Sequence, residues 1–143
     1  MVRRMEAFAI TGQQAQYLPH DEGFYYHGSR LKYAESIFKE GLTRDITGDL
    51  KRGAPSWHDR SIGKIFFAEE PATAVLFPIL TDPKPPGALL LRVHRKYLKE
   101  PVRDTPGRVA DGDIFVTHDI PKFCLEVWTF SGWLSPERAL ELL

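Results

Sequence analysis

Residues 88 to 98, ALLLRVHRKYL, set the tightest limit on what this chain can fold into. Four apolar residues in succession leave no polar face, so a strand built on them needs cover on both sides. Hydrophobic residues make up 43% of the 143, enough to provide that cover within one core. One domain over residues 1–143 is the expectation, with residues 1–23 as an N-terminal arm. The basic residues of RVHRK, 92 to 96, read in two ways. They form either an exposed face or a track for a polynucleotide phosphate backbone.

The neighbouring segments supply partners for this strand. FYYH (24–27) is a short aromatic strand candidate, and Ser29 is placed to cap a helix after it. Leu31, Ala34, Ile37 and Phe38 follow at helical spacing, and Gly41 suits the residue after a helix, with Leu42 folding back onto its last turn. KIFFA (64–68) reads as a strand. EEPATAVLFPIL then reads as a short helix, with Pro71 in its first turn and Pro78 near its stop. DPKPPG is a turn, and DIFVTHDIP and CLEVWTF are further strands. Ser135 and Pro136 open a last helix through ERALELL. Strands outnumber helices at irregular spacing, which predicts an α+β fold with a mixed or antiparallel sheet core.

Several function classes find no support. The formal net charge is zero, so no global field recruits nucleic acid or an anionic membrane. No apolar run reaches membrane-span length. MVRRMEAFAITGQQ is interrupted by Glu6 and is expected to be mature sequence, not a secretion signal. Cys124 is the single cysteine, which suits a reducing cytosol, and in FCLEVW it reads as a small buried hydrophobe. His20, His58, His94 and His118 have no partners at metal-ligand spacing, so no metal is expected.

The stretch YYHGSRLKYAESIFKEGL resembles the opening motif of the ADP-ribosyltransferase superfamily, in which a strand ends in His-Gly-Ser/Thr and a helix leads to Gly-Leu. KIFFAEEPATA resembles the second motif, an aromatic strand followed by an alanine-containing helix. GALLLRV matches the next strand in character, and DGDIFVTHDIP resembles the third motif. The motifs run in the family's order over about residues 24 to 127. The resemblance implies a split-sheet fold and NAD as co-substrate. It implies cleavage of the nicotinamide–ribose bond and transfer of ADP-ribose to a protein, nucleic acid or small molecule.

The same resemblance implies roles for individual residues. His27 would hydrogen-bond a ribose hydroxyl, and Gly28 would offer its N–H and C=O to the nicotinamide carboxamide, with no Cβ to hold the ring away. Ser29 would touch the ligand as well as cap the helix. Phe66 would stack on the pyridinium, replacing the tyrosine of many relatives, while Phe67 points into the core. Asp113, with Asp111 two residues earlier, would supply the carboxylate that many relatives provide as glutamate, unless both are solvated turn residues. Asp104 is a further candidate for that acid. Arg60 and Ser61 either meet the pyrophosphate or belong to a solvated loop, and Trp57 either covers the ligand or anchors that loop. The shorter acids of DGDI, with His27 where the arginine-modifying branch has arginine, speak against arginine as acceptor.

Two other activities share these motifs. RNA 2′-phosphotransferases have a similar lobe and use NAD, but carry a further N-terminal lobe and several arginines for RNA. A noncatalytic module that retained the fold, with or without NAD binding, is the third reading. A cytoplasmic location is expected, with no membrane partner.

Overall fold

The computed structural model describes residues 6–44, 63–81, 87–103 and 114–143. Its strands are β1 (Phe24–Arg30), β2 (Ile65–Phe67), β3 (Ala88–His94), β4 (Val102–Arg103), β5 (Ile114–Val116), β6 (Leu125–Thr129) and β7 (Gly132–Leu134). The helices are α1 (Gly12–Ala15), α2 (Ala34–Glu40), α3 (Pro71–Thr81) and α4 (Pro136–Glu141). One sheet has the order β1-β3-β6-β7 and a smaller one the order β2-β5-β4. Every pairing between these strands is antiparallel. The expected α+β class holds, with antiparallel sheets and a few short helices.

β3 is the centre of the larger sheet, as its apolar run requires. Ala88, Leu89, Leu90 and Leu91 have no exposed surface. Alternation sends them to two cores. Leu89 and Leu91 join Tyr25, Ile37, Phe38 and the inner face of the small sheet (Ile65, Phe67, Ile114, Val116). Ala88 and Leu90 join Ile10, Tyr26 and Val75. Each fully buried leucine contributes about 1.5–3 kcal/mol over an exposed one.

The N-terminal arm is part of this core. Phe8 and Ile10 are fully buried, and Ile10 exchanges two backbone hydrogen bonds with Ala88, at 2.9 and 2.8 Å. Thr11 and Gln14 form a reciprocal capping box that starts α1. The last helix begins as expected, with the Ser135 side chain accepting from the Arg138 N–H at 3.2 Å.

Two local expectations are corrected. β1 does not stop at His27: it continues through Gly28 and Ser29 to Arg30, pairing residue by residue with β3. Ser29 therefore lies opposite Leu89 and caps nothing; a short 3-10 helix begins after Arg30, without a side-chain cap. Seven paired positions outweigh one capping preference. Leu42 is buried in one cluster with Ile37 and Phe38 of α2. It bridges Ile120 with two 2.9 Å backbone bonds, while Gly41 takes φ +84° and donates to Ile37 O at 2.7 Å. Helix α3 runs from Pro71 to Thr81, with Pro78 three residues from its end, as expected.

Candidate active site in a split between two sheets

β1 contributes an edge to two different partners. Its inner edge pairs with β3 along its whole length. Its outer edge meets the small sheet at Tyr26, whose N–H donates to Ala68 O at 2.9 Å and whose C=O accepts from Ala68 N–H at 2.8 Å. Backbone groups alternate sides along an antiparallel strand. Tyr25, His27 and Ser29 thus bond β3, and Gly28 directs its N–H and C=O outward, on the side where Tyr26 meets Ala68.

An uninterrupted pairing would set Gly28 opposite Phe66. The two chains separate there instead. The Phe66 carbonyl takes a hydrogen bond from His27 Nδ1, at 2.7 Å. The Gly28 N–H and C=O have no partner among the described residues. A carbonyl can only accept, so His27 Nδ1 carries the proton, and in neutral imidazole Nε2 is then the acceptor nitrogen. The side chain of His27 stands where the sheets part, with a backbone donor and acceptor beside it.

Gly28 is also constrained from the other direction. A Cβ there would lie 1.9 Å from the Ala74 carbonyl oxygen and 3.0 Å from Val75 Cα. α3 therefore presses onto the strand at this point, and a bare Cα is what permits it. The expectation that the missing Cβ opens space for a ring is corrected: α3 backbone fills that space. The outward N–H and C=O are the polar groups that Gly28 presents at the split. Sequence reasoning missed the counterpart in α3. Its signal is Pro78, which has no N–H for the i−4 carbonyl of Ala74 and so leaves that carbonyl without its helical donor.

The two phenylalanines divide differently from the expected arrangement. Phe67 is core, 1% exposed, as predicted. Its ring nevertheless meets the imidazole, with centroids 5.6 Å apart and planes tilted by 60°. Phe66 brings its carbonyl to His27, while its half-buried ring lies 5.6 Å from Phe115, the residue opposite it on β5. Lys64 Nζ stands 4.6 Å over that Phe115 ring. His27, Gly28 and Phe66 do meet at one place in the fold. The imidazole packs on the neighbouring ring.

Asp104, Asp111, Asp113, Arg60, Ser61, Trp57 and His58 lie outside the described residues. Beside the split, Glu69 follows Ala68 directly and accepts from Arg103 at 2.8 Å. That bond holds its carboxyl below the usual carboxylate range. Among the described residues no group of three or more metal-ligating side chains gathers, and no helix is long and apolar enough to cross a membrane. Cys124 is half-buried, and burial raises its thiol pKa. No family model, curated protein or solved structure matches the chain.

Proposed function

We propose that this protein is an NAD-dependent ADP-ribosyltransferase whose nicotinamide subsite is the split between β1 and β2. The observation that carries the reading is the pairing of the His27–Phe66 hydrogen bond with the outward N–H and C=O of Gly28. A carboxamide needs one acceptor for its NH₂ and one donor for its C=O, and a single strand residue facing outward supplies both. The neighbouring imidazole, its tautomer set by Phe66 O, is assigned the ribose hydroxyl from the motif.

In the reaction the bond between ribose C1′ and the pyridinium nitrogen breaks, and nicotinamide leaves as a neutral molecule with the bonding pair. The sugar develops oxocarbenium character, and the acceptor's lone pair closes on C1′ as its proton departs to a base. Held at carboxamide and ribose, the two halves of the breaking bond have a fixed orientation, which is the entropic part of the rate gain. Asp113 or Asp111 is assigned the stabilising carboxylate from the motif.

The test is release of nicotinamide from NAD by the purified protein, followed by chromatography, with NAD binding measured by calorimetry. Release abolished in Asp113→Asn and in His27→Ala supports transfer chemistry at this site. Binding without release supports a noncatalytic NAD-binding module, and neither binding nor release removes the dinucleotide reading altogether.

A further inference from the structure

A second site sits at the opposite end of β1 from Gly28, about 13 Å along the strand at ordinary strand rise. There Phe24, His94, Lys96, Tyr97, Phe123 and Leu125 border an open cavity of about 230 Å³. We propose that this cavity binds one unpaired base of a single-stranded nucleic acid, with the adjoining phosphates held by Lys96, Lys99 and Lys122.

The aromatic surface is the first argument. Phe123 is 81% exposed and Tyr97 42%, and both border the cavity. Each belongs to a short 3-10 helix, Lys122–Cys124 and Arg95–Tyr97, that follows or precedes a sheet strand and holds the ring at a strand end. Phe24 adds a third ring, set edge-on to His94 at 5.3 Å. Rings held open to solvent at a cavity this small suit one flat heterocycle, and every base has a π face to stack.

Charge is the second argument, and it separates the basic residues of the RVHRK stretch and its neighbours into two sets. Arg92 is committed inside the fold: its guanidinium lies 3.9 Å over Phe24 and 4.2 Å over Trp133, and its Nε donates to Glu126 at 2.9 Å. Arg95 is committed as well, donating to Glu22 O and, at 2.8 Å, to Tyr25 Oη. Lys96, Lys99 and Lys122 have no ion pair among the described residues. The one carboxylate bordering the cavity, Glu126, is neutralised by Arg92. Lys96 borders the cavity itself, while Lys122 adjoins Phe123 and Lys99 lies two residues past Tyr97 in the chain.

His94 adds a polar handle. Its Nδ1 accepts from the Lys96 N–H at 3.2 Å, which leaves Nε2 as the proton-bearing nitrogen of the neutral ring. That donor suits the ring nitrogen or carbonyl of a base. Stacking demands a base free of its complement, so a single strand fits and a duplex does not.

The experiment is fluorescence anisotropy of labelled twelve-nucleotide RNA and DNA single strands, with the matching duplex and free AMP as competitors. Expected is salt-sensitive binding of single strands that the duplex displaces poorly and AMP displaces only at far higher concentration. Phe123→Ala and Tyr97→Ala each weaken binding by about tenfold, the usual loss of one stacked base. Both rings are exposed, so melting curves establish that the variants remain folded. Replacing Lys96, Lys99 and Lys122 with Gln lowers the slope of log affinity against log salt by about 2, near 0.7 per phosphate contact. AMP competing as well as the oligonucleotide would reassign the cavity to free nucleotides. No binding of any strand, or unchanged affinity in the folded Phe123 and Tyr97 variants, overturns the proposal. None of these readouts depends on NAD cleavage.

Discussion

The carbonyl oxygen of Ala74 on α3 lies 1.9 Å from the place a Cβ on Gly28 would occupy. Ala74 is four residues before Pro78, which has no N–H to offer it. Helix and strand thus meet backbone to backbone at the residue whose outward edge faces the split. Gly28→Ala forces a methyl group into α3 main chain, which cannot swing aside as a side chain does. A loss of at least about 2 kcal/mol is expected, from the overpacking range. Chemical denaturation of the variant measures it directly, and a wild-type midpoint would contradict the close approach.

His27 and Phe66 make separable predictions, because the bond between them uses a main-chain carbonyl. His27→Ala removes one hydrogen bond, costing about 1 kcal/mol of stability. If the proposed chemistry operates here, it also lowers nicotinamide release by at least about 100-fold. Phe66→Leu keeps the carbonyl and hence the imidazole orientation, so its melting temperature stays near wild type. Comparing the release rates of the two variants isolates what the Phe66 ring contributes.

Phe67 carries the structural side of the same pair. It is 1% exposed and packs against His27 and the main core. Phe67→Ala is expected to cost about 3–5 kcal/mol, the range for deleting a buried aromatic side chain. Urea titration monitored by far-ultraviolet circular dichroism gives the value.

Arg92 is held between the rings of Phe24 and Trp133 and bonded to Glu126, with its side chain 17% exposed. A lysine retains the charge but loses the flat stacking surface and the geometry of the Nε bond. Arg92→Lys is expected to destabilise by about 1–2 kcal/mol, near one cation–π contact. Glu126→Gln in the same background tests whether the carboxylate bond contributes separately. A non-additive double mutant, in which Glu126→Gln costs less once Arg92 is lysine, would show that it does.

Acid sensitivity follows from Asp119. Burial works to raise its pKa, but the backbone and side-chain bonds from Arg44, both 2.9 Å, outweigh it and bring the folded-state value below the ordinary 3.8. A carboxyl whose pKa is depressed by folding stabilises the protein above its unfolded pKa, and the contribution fades as pH falls through the folded one. Melting temperature is therefore expected to decline as pH drops below about 4. Asp119→Asn flattens that part of the profile, as scanning from pH 7 to pH 3 will reveal.

What the sequence made legible was set by local signals. The apolar run at Ala88–Leu91 announced a strand covered on both faces, and Ser135–Pro136 announced a helix start; both are present. The β1 boundary was misread because Gly28 and Ser29 look like a turn and cap in isolation. Pairing with Leu90 and Leu89, sixty residues away in the chain, keeps them extended. β4 and β7, with two and three residues, are too short to leave a periodic trace. At the site, His27 and Phe66 were legible as a pair, but not that the backbone of one, not its ring, would hold the other. Hydrogen bonds to main-chain carbonyls carry no signature in residue identity.

The parting of β1 and β2 just beyond Tyr26 and Ala68 has a thermodynamic corollary. Outward amide groups within a sheet become available to a guest only after a neighbouring strand has been peeled off, whereas those on an edge are open already. At Gly28 the host has no rung to surrender, because the imidazole already occupies Phe66 on the facing chain. A guest bearing an amide can lengthen the ladder by one step, leaving the protein's own bonds intact.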